Sequence, residues 1–500
     1  MTIRTTGRQP AAHAFGREVI ATLSLGWPIA LTQIGQIAML TTDLALIGRL
    51  GDVALAGAAL GHIVLFAGYM LGLGLAAAVA PLAAQAVGAR KPRMVRRAAR
   101  VGLWAITMVG IPLTIALLYA APVLVLLGQP PDASAYAGYY LAGMAWSLIP
   151  AWAFIVLRNM MAALGRPQPA LWIMLAAIPL NGLLAFVLIF GWGPLPAFGI
   201  TGAGIATSIV NIAMCVAGFL VTARMRPYRK YHLFGRIWRP DWPLLARLFR
   251  LGVPITGAFM LEYGLFAGAG LMAGAIGKSA LAAHQIALQV ASILFMVPMG
   301  LSQAATVRVG HALGRGDLAD ARRAGFAALL VAGVFMAVFG LATVALRGVI
   351  PAVFLDVAAS ANAETVALAA VLLIIGASFA IADGMQAVGA GALRGLGDTR
   401  VPMQHAAVSF WVIGFPVAWV LCFPAGLGAA GIWSGLTAGL VLYAVLLVWR
   451  FERLTRAEHM GRLPGVAASR TTDETDRPAG TLPLQSAISK NRRPSEAAAT

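Results

Sequence analysis

The chain has 500 residues, 60% of them hydrophobic and 11% charged, where about a quarter would be charged in an ordinary soluble domain. That composition, with a mean hydropathy of +0.82, excludes a water-soluble globular fold and calls for an apolar solvent, the lipid bilayer. The net charge of +19 does not indicate nucleic acid, because the basic residues fall in short clusters between apolar stretches.

A transmembrane helix needs about 20 mostly apolar residues, and twelve such stretches follow in chain order. After a basic arm (residues 1–19), six lie near 20–46, 53–83, 95–127, 135–163, 170–192 and 199–223. Six more lie near 244–274, 280–312, 321–351, 363–390, 402–424 and 428–452. The expected fold class is all-α integral membrane, with twelve transmembrane helices in two pseudo-symmetric six-helix lobes. The N-lobe covers 20–223, a cytoplasmic linker 224–243, and the C-lobe 244–455. The tail 456–500, rich in Ser, Thr, Pro and Ala, is expected to be disordered. The apolar run after Arg17 is too long for the core of a signal peptide, so no cleaved leader is expected. Pro28, Pro112, Pro150, Pro179, Pro254, Pro298 and Pro416 lie inside spans, and each predicts a kink. A β-barrel is excluded, since no alternating pattern recurs in segments of about ten residues. Cys215 and Cys422 both sit in apolar stretches and read as small core residues.

Lysine and arginine set the orientation. With the N-terminus in the cytoplasm, 34 of the 37 basic residues fall on the inner side, and only Arg49, Lys278 and Arg347 fall outside. This count assigns Arg158 and Arg166 to the loop after span 4, and Arg394 and Arg400 to the loop after span 10. A miscounted span would destroy the alternation. The reading is a multi-pass bacterial inner-membrane protein with both termini cytoplasmic.

The chain also repeats itself. Shifted by 226 residues, Leu25–Gly88 meets Leu251–Gly314 without a gap, with 16 of 64 positions identical. Pro28/Pro254, Gly48/Gly274, Gly51/Gly277 and Gly88/Gly314 are among them. A shift of six spans keeps both copies in the same orientation, so their symmetry axis runs along the membrane normal.

Three acids lie within spans: Asp43 in span 1, Glu262 in span 7 and Asp383 in span 10. A charge at the centre of a span costs about 2.5–3.5 kcal/mol on insertion scales, so it usually faces a cavity and has a function. Asp43 stands a few residues before the turn Gly48-Arg49-Leu50-Gly51 and also suits a helix-end residue reaching the interface. Polar neighbours extend the set: Gln33, Gln36, Asn181, Asn211, Gln285, Gln289 and Gln386, the last three residues after Asp383 and hence on the same helix face. Asn211 and Gln289 read as amides that join helices, and His284 as a core histidine. A Walker A motif, a metal-spaced His/Cys cluster and a Gly-x-Ser-x-Gly elbow are all missing from the sequence. Neither an enzyme nor a bound cofactor is therefore expected.

These residues resemble the multidrug and toxic compound extrusion (MATE) family, in its NorM-type branch, over about 15–455. The carrying motifs are Ala382-Asp383-Gly384-Met385-Gln386-Ala387-Val388, then Gly391-Ala392-Leu393-Arg394-Gly395-Leu396-Gly397-Asp398-Thr399. Leu251-Gly252-Val253-Pro254 with Glu262, and Ala283-His284-Gln285-Ile286, resemble it too. The resemblance implies a V-shaped two-lobe exporter of small-molecule drugs and organic cations, exchanged for Na⁺ or H⁺; the two carboxylates with amide oxygens such as Gln285 nearby favour Na⁺. It implies that Glu262 and Asp383 form the cation site of the C-lobe, with Asp43 as the acid of the N-lobe cavity. Asn181, with Gln36, Gln285 and Gln386, would line the substrate cavity. Where some relatives carry an aspartate in span 5, this chain has Ala185, which counts against a proton relay there. Glu262 aligns with Gln36 in the repeat, so the lobes are not chemically equivalent. The expected protein is a drug antiporter, acting as a monomer in the bilayer and binding no nucleic acid. The competing readings are a flippase for lipid-linked precursors, which would want a cationic groove, and a polytopic membrane enzyme.

Overall fold

The computed structural model describes residues 11–194, 196–235, 238–356 and 359–456. Most of the basic arm and almost all of the tail expected to be disordered lie outside the described residues. Among the described residues the chain is helical, and twelve helices are long and apolar enough to cross a membrane. In chain order they are α1 (Phe15–Leu50), α2 (Val53–Gly88), α3 (Pro92–Leu118), α4 (Pro131–Ala163), α5 (Gln168–Phe190) and α6 (Gly199–Arg224). Then follow α7 (Trp242–Ile276), α8 (Lys278–Arg315), α9 (Leu318–Ala345), α10 (Ser360–Leu396), α11 (Arg400–Cys422) and α12 (Gly428–Thr455). The 38 residues of α8 extend about 57 Å at ~1.5 Å per residue, well beyond a hydrocarbon core of about 30 Å.

Spans 3 and 9 are shorter than their apolar runs, because α3 stops at Leu118 before a separate short helix Ala120–Leu126, and α9 stops at Ala345. Proline accounts for three helix irregularities through the clash of its ring with the carbonyl four residues earlier. α2 breaks after Ala77, four residues before Pro81. α4 tightens to a 3-10 turn at Ala145–Ser147, four residues before Pro150 at its middle position. α11 widens to a π-helix at Val408–Gly414, which spans the residue four before Pro416. The other five prolines read as kinks stay inside helices with no such break.

Apolar burial divides by halves. One core cluster draws on α1–α6 and the start of α7, joined by Ala304 and Val307 of α8, and another draws on the rest of α7 and on α8–α12. The halves meet through α1 and α2 against α7 and α8, and the meeting is reciprocal. Gly26 packs on Leu301 while Gly252 packs on Leu75; Gly74 packs on Thr256 while Gly300 packs on Ala30; Gly88 packs on His311 while Gly314 packs on Gln85. Each pair maps onto the other by the 226-residue shift, which is the signature of a two-fold interface made within one chain. A Cβ at Gly74 would lie 2.5 Å from the Thr256 nitrogen, and at Gly300 2.6 Å from the Ala30 Cα, so backbone approach requires glycine. Polar contacts reinforce the seam on the half of the molecule that carries the basic helix ends. Arg308 pairs with Glu18 at 2.5 Å, Gln85 Nε2 donates to the Gly395 carbonyl at 2.9 Å, and His311 Nε2 lies 2.8 Å from the Ala163 carbonyl.

Two of the arginines counted as loop charges, Arg158 and Arg394, lie within spans with their heads turned inward. Arg158 lies inside α4, 3% exposed, with Nη1 donating to Gln33 Oε1 at 2.7 Å. Arg394 lies inside α10 and donates from Nη2 to Ser302 Oγ at 2.7 Å. Long stems let arginine serve as a topology signal and still turn its head inward. Outside the spans, Asp241 caps α7 by accepting from the Leu244 N–H at 3.4 Å and pairs with Arg97 at 2.5 Å and Arg100 at 3.5 Å. Burial works to raise its pKa, but Arg97, the capping N–H and Arg100 together outweigh it and hold the carboxyl below its ordinary value.

Candidate functional site

The in-span acids form two separate sites, one in each half. In the first half, Asp43 is 4% exposed near the end of α1. Asn181 of α5 donates to its Oδ1 at 2.6 Å, and Thr207 of α6 donates to its Oδ2 at 3.0 Å. Both donors come from facing helices, so Asp43 is a buried, hydrogen-bonded acid and not a helix-end residue reaching for the interface. Asn181 is fully buried and its Oδ1 has no partner among the described residues, which leaves an uncommitted acceptor beside the acid. Asn211 spends its amide on the Thr207 carbonyl of its own helix and takes no direct part.

In the second half, Gln386 ties two acids together. Its Nε2 donates to Glu262 Oε1 on α7 at 2.9 Å and to Asp383 Oδ1 one turn back on α10 at 3.0 Å. Asp383 and Gln386 are buried, at 4% and 2% exposure, and Glu262 is half-buried. Two carboxylates from different helices and one amide therefore converge, which is a set suited to a hard monovalent cation or to a proton. Beside them opens a small pocket, with Phe259, Phe295, Met299 and Tyr443 among its walls and Glu262, Gln386, Arg394 and Thr399 among its polar groups.

Of the residues singled out in the sequence, the structure thus joins Glu262, Asp383 and Gln386, and separately Asp43 and Asn181. Gln36 belongs to neither group; it is half-buried and faces the Tyr69 side chain. Gln285 is exposed on α8 and makes no hydrogen bond among the described residues, so it supplies no oxygen to the carboxylate pair. His284 is a core residue, its Nδ1 accepting from Trp433 Nε1 at 3.1 Å. Sequence reasoning passed over Thr207, Tyr443 and Arg394. Thr207 stands one turn from Asn211, and Arg394 lies within the motif after Gln386, so both carried a signal; Tyr443 carried none.

The MatE family profile matches residues 28–187 and 254–420, two blocks whose starts are offset by the length of the repeat. A relative described as "Probable multidrug resistance protein NorM" from Rhodopseudomonas palustris is 60% identical over 445 residues, covering 89% of this chain and 94% of its own length. Another so described, from Bradyrhizobium diazoefficiens, is 50% identical over 439 residues, covering 88% and 94%. Among solved structures, the eukaryotic MATE transporter AtDTX14 superposes with a TM-score of 0.79 at 23% identity, covering 89% of this chain and 99% of that one. A MATE crystal structure in the bent conformation also scores 0.79, at 18% identity, covering 92% and 98%.

Proposed function

This chain belongs to the MatE family, and on that premise we propose that it is a multidrug efflux antiporter. It exports amphipathic, often cationic compounds in exchange for Na⁺ or H⁺ and catalyses no covalent chemistry. The observation that carries this reading is the Glu262–Gln386–Asp383 cluster beside a pocket walled by aromatic and methionine side chains. Acids inside membrane spans are costly, and here Asp43 and Glu262 are held by hydrogen bonds from other helices and Asp383 by Gln386 of its own helix. A monovalent cation moving down 100 mV releases about 2.3 kcal/mol, enough for a tenfold concentration gradient of drug. The division into lobes 20–223 and 244–455 around the linker 224–243 is part of this reading, as are the inner-membrane location and the cytoplasmic termini. The distribution of arginine and lysine supports the topology. With Gln285 turned away, the case for Na⁺ rests on the two carboxylates and the Gln386 amide.

Proteoliposomes loaded with a fluorescent cationic drug test the coupling. Efflux on imposing an inward Na⁺ gradient at equal pH supports Na⁺. Efflux triggered only by a pH jump assigns the same carboxylates to protons, and efflux insensitive to both gradients defeats the antiporter reading.

A further inference from the structure

We propose that the first half holds a small-anion site, a chloride-sized ion bound on the guanidinium of Arg158 in α4. The proposal stands on the burial and partners of that side chain and is independent of the efflux reading. Arg158 is 3% exposed, and among the described residues it is the one lysine or arginine buried to this degree. Its Nη1 donates to Gln33 Oε1 at 2.7 Å, and that acceptor is neutral. Its Nε is buried without a hydrogen-bond partner, and its Nη2 makes no hydrogen bond among the described residues. One N–H on Nε and two on Nη2 are therefore uncommitted. A guanidinium also keeps its charge at any physiological pH, so it does not escape burial by losing a proton.

Among the described residues no acid pairs with it. Other arginines drawn in from solvent have a carboxylate close by: Arg97 and Arg100 share Asp241, Arg308 holds Glu18 and Arg450 holds Asp398. Arg394 shares its pocket with Glu262. The in-span acid of the first half, Asp43, is committed to Asn181 and Thr207. It also stands ten residues beyond Gln33 on the same helix, about 15 Å along the axis. Depth adds to the case. α4 and α10 each run into a glycine with positive φ, Gly165 and Gly397. Arg394 stands three residues before its glycine and Arg158 seven before its own, about 4.5 and 10 Å along the axis. Arg158 is thus a turn deeper in its span. A buried charge without a partner is costly, and an anion on the free side of the fork removes that cost through charge-assisted hydrogen bonds.

The surroundings select for size. Tyr69 of α2 faces both Arg158 and Gln36, so a phenol hydroxyl and an amide are further donors at hand. Trp152, fully buried, packs beside Tyr69 and donates from Nε1 to its carbonyl at 3.1 Å. Gln33 is itself buried. So enclosed a setting suits a monatomic ion better than a carboxylate carried on an organic body.

Radiolabelled chloride and the full chain in nanodiscs, in sodium gluconate, give the test. The unmodified chain should bind chloride saturably, with bromide displacing it. Its melting temperature should rise with chloride at constant ionic strength, because a ligand of the folded state stabilises it. Arg158→Met should abolish the binding and the chloride dependence of melting, while Arg93→Met, at an exposed position, should change neither. Arg158→Lys keeps the charge, loses the fork, and should bind about tenfold more weakly. No saturable binding in the unmodified chain overturns the proposal without any variant, and so does binding that survives Arg158→Met. Acetate displacing chloride as well as bromide does overturns the assignment to a monatomic ion. If Arg158→Met fails to fold, bromide's anomalous signal in crystals of the unmodified chain decides: a peak on the Arg158 guanidinium supports the site, and peaks only elsewhere overturn it.

Discussion

Alanine at Gly74 or Gly300 should push the halves apart on the side where they now touch. In an exposed helix alanine is favoured over glycine by about 1 kcal/mol, so any loss must come from the interface. A Cβ at Gly74 would stand 2.5 Å from the Thr256 nitrogen and 2.8 Å from its Cα; at Gly300 it would stand 2.6 Å from both the Ala30 nitrogen and Cα. Ordinary contacts are about 3.5–4.0 Å, so relief requires the helices to separate by roughly 1 Å. Rotating the Thr256 hydroxyl away does not relieve the clash, because backbone atoms of Thr256 and Ala30 stay within 2.5–2.8 Å of the added carbons. Overpacking of this kind costs about 1–3 kcal/mol, which shifts an equilibrium between two arrangements of the lobes by about 5- to 150-fold. Spin labels at Arg93 and Ala319, exposed positions related by the repeat, would report the separation once Cys215 and Cys422 are replaced. Each alanine variant should populate a longer distance, and by a similar factor, because the two contacts are pseudo-equivalent. Unchanged distance distributions in both variants would refute the role of the glycine seam; a shift in one alone would refute the equivalence.

Glu262→Gln and Asp383→Asn should each abolish drug export while leaving the protein in the membrane, since removing a buried charge relieves desolvation while coupling is lost; full resistance in cells carrying either variant removes that residue from the site. Asp241→Asn should lower the stability of the purified protein by about 1–3 kcal/mol at neutral pH, the worth of hydrogen bonds to a charged group. Because the folded-state pKa of Asp241 lies below its unfolded value, that contribution is present above the unfolded pKa and is lost as pH falls through the folded one. The difference in melting temperature between variant and parent should close on acidification, and a gap that persists at low pH contradicts the assignment. A reporter active only outside the cytoplasm, fused after Met460, should be silent; a signal there sinks the orientation.

Span number and helix class were legible because a bilayer imposes one requirement, about 20 apolar residues per crossing, that no tertiary contact can waive. The acids were legible for the same reason: Glu262 and Asp383 stand out against apolar neighbours at any register. Which amides join them was not legible. Gln386 follows from helical spacing to Asp383, but Gln285 and Gln386 looked alike until the rotation of α8 and α10 placed one outside and the other between two carboxylates. Arg158 and Arg394 were misplaced because charge near a helix end satisfies the positive-inside pattern wherever its head turns. Proline positions were visible, but their consequences were not: Pro150 and Pro416 fall at irregular turns while Pro28 and Pro254 sit in unbroken helices.

The repeat is kept and abandoned in different places, and the difference carries a functional argument. Where the lobes touch, equivalence holds pair for pair: Gly26 with Leu301 and Gly252 with Leu75, Gly74 with Thr256 and Gly300 with Ala30. A seam built this way presents the same surface to either lobe, so one lobe can pivot on the other with both helix pairs moving alike. Where the charges lie, equivalence fails. Gln36 stands opposite Glu262 in the repeat, Gln33 opposite Phe259 and Asp43 opposite Ala269. The first half holds one acid between Asn181 and Thr207, with Arg158 set on Gln33. The second holds two acids on one amide, with Arg394 set on Ser302 and the Ala390 carbonyl. Two identical sites on a symmetric pivot would both have to bind cation, or both bind drug, in each arrangement. Under the proposed antiport, unequal sites on an equal seam would let one motion release drug from one place while cations load another, which is the requirement of exchange.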